Sequence, residues 1–407
     1  MPLTLYGCGY NGFSQLDGFK CLKFSELGLV TSDNHCTRIK SDQKTKMDLP
    51  EQLIQLNEGY DLHTLQVTWA RVAATFKRGT NGCTSVITGL INMTAQENTD
   101  SYGEACVLDG QVVMTSTDTD IVLRGLEDTV PSKILRENTT ESQSVAVVLP
   151  SKETKLLSVC GGHHHVFAVY DSATVGKLHI SEGGVAKSDE ESYAKKNIEE
   201  SNFDLHLIDT GVVISEISCG KEHVLILTHV GTVYSYGLGS RGQLGHHSVE
   251  PETSPRLLAS LEGLRMKRIC AGGWHSASLS DCGDVYMWGW NESGQLGVAC
   301  LSKAVSSSKM AEDEDRVGIQ TEPLCITMLP EELNISAVAC GSRHSLILSD
   351  TGRVFASGWN AYGQLGLCDT KTRDRFTEVV AFKDHCVRIF AGHWNSFFVS
   401  SCNKHCV

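Results

Sequence analysis

No stretch of this sequence approaches the roughly 20 consecutive apolar residues that a membrane helix needs, so a helical membrane protein is excluded. The 41% hydrophobic and 20% charged residues suit a soluble globular chain with a sizeable core. Positive charge is in short supply: 35 Lys and Arg face 48 Asp and Glu, for a formal net charge of −13, and no Lys/Arg cluster stands out. Such a surface repels a phosphate backbone, so direct DNA binding is not expected. The opening residues Met1-Pro2-Leu3-Thr4-Leu5-Tyr6-Gly7 carry neither a cationic nor a long apolar region. No secretory signal is expected, and an intracellular home follows.

Cysteine is plentiful, with 16 residues scattered along the chain and several set in apolar runs. In a reducing compartment these read as small buried hydrophobes rather than disulfides. The tightest Cys/His group, Cys402, His405 and Cys406, lacks a second pair at metal-site spacing, and His163-His164-His165 has no carboxylate nearby. No metal and no cofactor are expected. Nor do the residues assemble a nucleophile, a base and an orienting group, so no catalytic chemistry is expected.

What is present is a repeat. A segment small-Gly-x-x-His is followed by an aromatic strand ending in Gly and then by Gly-Gln-Leu-Gly. The clearest copy runs from Ala271-Gly272-Gly273-Trp274-His275-Ser276 to Val285-Tyr286-Met287-Trp288-Gly289-Trp290-Asn291-Glu292-Ser293-Gly294-Gln295-Leu296-Gly297. Cys219-Gly220-Lys221-Glu222-His223 with Gly242-Gln243-Leu244-Gly245, and Cys340-Gly341-Ser342-Arg343-His344 with Gly363-Gln364-Leu365-Gly366, match it closely. Half-copies stand at Cys160 to His164, at Ala391-Gly392-His393-Trp394-Asn395, and weakly at Val67-Thr68-Trp69-Ala70. The His-equivalent marks at 70, 164, 223, 275, 344 and 395 give a period of about 51 residues, with room for a degenerate copy at 100–150. Six marks and one inferred copy make seven.

Each unit reads as short alternating strands between Gly-containing turns, which is one four-stranded propeller blade. After Asn395-Ser396-Phe397-Phe398-Val399 no aromatic-Gly strand follows, yet the chain opens with Leu5-Tyr6-Gly7-Cys8-Gly9-Tyr10-Asn11-Gly12-Phe13-Ser14-Gln15-Leu16. The fold expected is all-β: one seven-bladed β-propeller over residues 1–407, closed by pairing its N- and C-terminal segments in one blade. Two inserts break the period, 181–204 and 298–322, the second holding Glu312-Asp313-Glu314-Asp315, and both read as surface loops.

The Trp274-His275-Ser276 segment, the Trp288 to Leu296 run and the repeated Gly-Gln-Leu-Gly turns resemble the regulator-of-chromosome-condensation repeat family, strongly over 205–400 and 5–18. The resemblance implies a nuclear, chromosome-associated protein that partners a JmjC-domain oxygenase acting on histone H3, with histone or other chromatin proteins as further contacts. It also implies, as alternatives, a Ran-type guanine-nucleotide exchange factor or a cytoplasmic interaction scaffold. The acidic charge and a Met1 to Asp17 segment without a basic tail speak against the exchange factor.

Gly237-Leu238-Gly239-Ser240-Arg241-Gly242 fits a dinucleotide-binding pattern, but it precedes a Gln-Leu turn and recurs with the blade, so its glycines read as turn glycines. The repeat histidines stand a blade apart and read as polar struts within each blade. Most tryptophans read as inter-blade core. Trp290, Asn291, Glu292, Trp359, Asn360 and Tyr362, which follow the repeat glycine, form the expected partner-binding rim.

Overall fold

The computed structural model of the chain describes residues 3–9, the strands between 51 and 209, and residues 212–301, 316–327, 329, 333–382 and 386–401, with side chains for 5–9, Cys160 and those from 212 onward. Among these residues the strands form seven four-stranded sheets, each an antiparallel meander. Blade I joins Cys386–Ala391 and Asn395–Ser400 from the C-terminal end to Leu3–Gly9 and Glu51–Leu56. Blades II, III and IV begin at Tyr60–Val67, Glu104–Val107 and Leu156–Gly161. Blade V comprises Ile214–Cys219, His223–Thr228, Val233–Gly237 and Glu252–Leu257. Blade VI comprises Met266–Ala271, His275–Ser280, Val285–Trp290 and Ile319–Cys325; blade VII comprises Ile335–Cys340, His344–Ser349, Val354–Gly358 and Arg373–Glu378. The first strand of each blade contacts that of the next, and blade VII contacts blade I, so the sheets close a ring. The expected propeller and its terminal clasp are both present, with Gly9 opposite Asn395 as Gly237 is opposite His223.

Some boundaries differ from the sequence reading. In blades II and IV the second strand starts at Arg71 and His165, one residue beyond the expected marks, because strand pairing rather than the nearest histidine sets the register. The strand Ile319–Cys325 takes the end of the expected 298–322 insert, and Phe203–Asp209 takes the end of the 181–204 insert. The rest of both inserts, His163, His164 and the Cys402 to Cys406 group lie outside the described residues.

Ring packing follows from the second strands. His223–Thr228, His275–Ser280, His344–Ser349 and Asn395–Ser400 are buried along their whole length, with one face toward each neighbouring blade. The core therefore lies between blades. Leu225, Leu227 and Val233 of blade V pack with Met266, Ile269 and Trp288 of blade VI. Between blades VII and I, Leu346 and Val354 meet Ile389 and Phe398, with Tyr6 and Cys8 of the N-terminal strand against them.

Buried serines inside this core are matched by the repeat histidines. His223 Nε2 lies 2.8 Å from Ser276 Oγ, His275 Nε2 2.9 Å from Ser345 Oγ, and His344 Nε2 3.0 Å from Ser396 Oγ. The histidines thus bond across blades, not within them as the sequence reading expected. Ser276 Oγ donates to the Gln243 carbonyl at 2.8 Å and Ser345 Oγ to the Gln295 carbonyl at 2.7 Å. A hydroxyl has one proton, so the imidazoles of His223 and His275 must donate from Nε2, which fixes a neutral tautomer with Nδ1 bare. A Cβ on Gly220, Gly272 or Gly341 would collide with that ring, which explains the Gly-x-x-His spacing. Blade I ends the relay: Asn395 takes the histidine position, and Ser396 meets the His344 ring.

The Gly-Gln-Leu-Gly turn serves the same junction. Gln243, Gln295 and Gln364 fold their Oε1 back onto the backbone N–H two residues earlier, while Leu244, Leu296 and Leu365 plug the core. The Gln243 carbonyl also accepts the Trp288 indole N–H at 2.9 Å. Gly289 needs its glycine: φ is +100°, and a Cβ would lie 2.6 Å from the Trp274 carbonyl oxygen and 2.7 Å from His275 Cα. Gly289→Ala should cost about 1–3 kcal/mol, read as a drop in melting temperature.

Burial holds His223 and His275 down to about 3 and His344 to about 4. Their folded values lie below the ordinary value near 6.5, so on acidification the unfolded chain binds protons that the folded chain refuses. Their contribution is complete above about pH 6.5 and is lost from there down to about pH 3 for His223 and His275 and about pH 4 for His344, at up to about 1.4 kcal/mol per pH unit for each histidine. Glu216, which burial raises to about 7, acts in the opposite sense. Urea midpoints at pH 7.5, 6 and 5 should fall with acid, and His275→Asn should flatten the fall relative to wild type.

Candidate functional site

In blades V to VII the turn between the first and second strands and the loop between the third and outer strands lie on the same edge of the blade. A hydrogen bond ties them together: Leu238 N–H donates to Glu222 O (2.8 Å), Trp290 N–H to Trp274 O (2.9 Å) and Trp359 N–H to Arg343 O (2.8 Å). Turns of adjacent blades are joined as well, with Lys221 N–H donating to Gly273 O, Gly273 N–H to Gly341 O and Ser342 N–H to His393 O. The residue just before each repeat histidine therefore meets the loop residue just after each repeat glycine. That geometry builds a continuous rim from blade V to blade I.

Two clusters occupy the rim. Trp274 and Trp290 meet edge to face with centroids 5.5 Å apart. Arg241 from blade V lies over both, 4.2 Å from Trp290 and 5.3 Å from Trp274; Arg343 from blade VII lies 4.3 Å from Trp290, and Lys221 4.7 Å from Trp274. Glu222 accepts the Trp274 indole N–H at 3.0 Å, and Glu292 pairs with Arg343 at 3.0 Å. The second cluster is aromatic: Trp359 stands 5.0 Å from Tyr362 and 4.8 Å from Trp394, all edge to face.

The residues expected at the rim divide into two kinds. Trp290, Glu292, Trp359 and Tyr362 belong to these clusters, with Glu292 and Tyr362 exposed. Asn291 and Asn360 are fully buried and form no outward surface. Asn291 donates to the Val298 and Val317 carbonyls and accepts from Leu296 N–H; Asn360 donates to the Asp369 and Lys371 carbonyls and accepts from Leu365 N–H. They hold the loops in shape. Four of the six tryptophans, 274, 290, 359 and 394, are rim residues, and Trp288 is inter-blade core. Sequence reasoning passed over Lys221, Arg241, Trp274, Arg343 and Trp394; their common signal is a large side chain one or two residues before the repeat histidine position, which Asn395 fills in blade I, or before the repeat glutamine. Among the described residues no group of His, Cys, Asp and Glu could hold a metal ion, and no helix is long and apolar enough to cross a membrane.

The model of the regulator of chromosome condensation (RCC1) repeat matches residues 230–279, 282–348 and 351–399. The chain carries RCC1 repeats. It is 38% identical over 207 residues to RCC1 domain-containing protein 1 of Mus musculus, covering 45% of this chain and 55% of that protein. It is 33% identical over 184 residues to the ultraviolet-B receptor UVR8 of Arabidopsis thaliana, covering 45% of this chain and 38% of that one. The chain thus spans about half the length of the RCC1 domain-containing relatives it matches. Prp20p of Saccharomyces cerevisiae, a protein studied for its binding to Gsp1p and histones, shares the fold with a TM-score of 0.69 at 15% identity, over 100% of this chain and 93% of Prp20p. The RCC1 matches fall on the blades that carry the histidine relay and the rim.

Removing the Asn291 amide leaves two carbonyls and one N–H without their partner. Asn291→Ala should cost about 1–3 kcal/mol in a thermal melt, while Glu292→Ala, exposed in the next position, should stay within about 0.5 kcal/mol of wild type.

Proposed function

We propose that this chain is a non-catalytic propeller scaffold that binds a JmjC-domain histone-modifying oxygenase through the rim of blades V to I. In this reading it works in the nucleus, on chromatin, and supports chromosome segregation. The observation that carries the docking surface is the concentration of four tryptophans, a tyrosine and two arginines on one edge of the ring. Trp, Tyr and Arg are the residues that dominate binding energy at protein interfaces, and here the loops beneath them are fixed by buried asparagines. The identity of the partner is what the resemblance to the RCC1 repeat family implies, and the RCC1 repeat matches over 230–279, 282–348 and 351–399 support that resemblance alone. The fold shared with Prp20p supports the alternative, a small Ran-like GTPase as partner.

The test is capture with the tagged full chain from nuclear extract, followed by quantitative mass spectrometry, for wild type and for the double variant Glu292→Arg with Tyr362→Ala. Both side chains are exposed, so melting should shift by no more than about 2 °C. Wild type should recover a JmjC oxygenase and the variant should lose at least about tenfold of it. Recovery of a small GTPase in its place, or equal capture by the variant, would overturn the proposal.

A further inference from the structure

The stack between blades V and VI holds two cations for which the described residues supply no carboxylate. Arg343 is taken by Glu292, and the Trp274 N–H by Glu222. Arg241 and Lys221 form no ion pair and no side-chain hydrogen bond among the described residues. The position of Arg241 is nonetheless fixed. Its backbone N–H donates to Gln243 Oε1 at 2.8 Å, its neighbour Gly242 is left-handed at φ +72°, and its guanidinium carbon sits 4.2 Å and 5.3 Å from two indole centroids. A guanidinium held by rings keeps its N–H donors unspent, and a preset fork loses little freedom when it takes a carboxylate. Long-range charge narrows the ligand. With a net charge of −13 on the chain and Glu222 and Glu292 beside the stack, a polyanion is repelled far more strongly than one or two isolated carboxylates, which the Arg241 and Lys221 charges can offset.

We infer that the Lys221–Trp274–Arg241–Trp290 stack is the docking point for a sparsely acidic peptide segment of the partner protein, one carboxylate of which accepts from Arg241 while an adjacent apolar side chain lies against the indoles. The inference deepens the rim-docking reading and rests on it. It assigns to the rim a preference for Asp or Glu in the partner, with Arg241 as the specificity-determining group.

The experiment is fluorescence anisotropy on the full chain with a fluorescein-labelled Ser-Gly-Glu-Leu-Asp-Ser-Gly peptide, its Gln/Asn counterpart, and a 20-nucleotide single-stranded DNA. The acidic peptide should bind saturably, and the counterpart and the DNA should bind at least about tenfold more weakly. Arg241→Gln should weaken the acidic peptide about tenfold, and Arg241→Lys severalfold because the fork is lost. Unchanged melting temperatures keep a loss of binding from being a loss of fold. Equal binding of the counterpart, preference for DNA, no saturable binding up to about 1 mM, or an unaffected Arg241→Gln variant overturns the inference. Sedimentation that shows a dimer dissolved by Arg241→Gln overturns it in favour of a second copy of this chain. If oxygenase capture depends on Glu292 and Tyr362 while the peptides bind alike, only the acidic preference fails and rim docking stands.

Discussion

The bond from a buried imidazole to a serine of the next blade is the constraint on which the described half of this ring depends. Each of His223, His275 and His344 is enclosed and held neutral by burial, and His223 and His275 are fixed in tautomer by a serine whose only proton is already committed. An imidazole in that position cannot be moved without leaving polar atoms unpaired in an apolar junction, at a cost comparable with a large share of a protein's net stability. Three features of the repeat follow. The glycine three residues earlier makes room for the ring, the glutamine supplies the carbonyl on which the serine rests, and the leucine after it seals the junction.

The rim is a by-product of the same geometry. The turn that carries the histidine is bonded to the loop that carries the glutamine, so whatever residue precedes the histidine is brought against whatever residue follows the glycine. Evolution of a binding surface at these positions leaves the junction untouched. Blade VI places Trp274 and Trp290 there, blade VII Arg343 and Trp359, and blade I Trp394. Rigid loops under large side chains favour affinity because little freedom remains to be lost on binding.

Much of this was legible in the sequence, for physical reasons. Gly-x-x-His and Gly-Gln-Leu-Gly are strict because the ring, the left-handed turns and the sealed leucine tolerate few substitutes, and the N-terminal strand Leu3–Gly9 was recognisable as the missing partner of Asn395–Ser400 because it carries the same aromatic-Gly ending. The direction of the histidine bond was not legible. One repeat copy shows a histidine followed by a serine, as in His275-Ser276, but not that the serine serves the histidine of the preceding blade. The Arg241–Trp290 contact joins two blades and has no local signature at all. Asn291 and Asn360 looked like surface residues because polar side chains in loops usually are; here the loop curls around them and consumes their amides. In blades II and IV the marks slipped by one residue because Trp69-Ala70 and the histidine triple offered no glycine-anchored ruler as clear as that of blades V to VII.

The central claim is that this ring presents one edge, built on the histidine junctions, to a protein partner. Hydroxyl-radical footprinting of the full chain, free and in complex with a captured protein partner, tests it most directly. Protection should gather on Glu222, Arg241, Trp274, Trp290, Glu292, Arg343, Trp359, Tyr362 and Trp394. Protection of the opposite edge instead, at the turns 229–232, 281–284 and 350–353, would contradict the account.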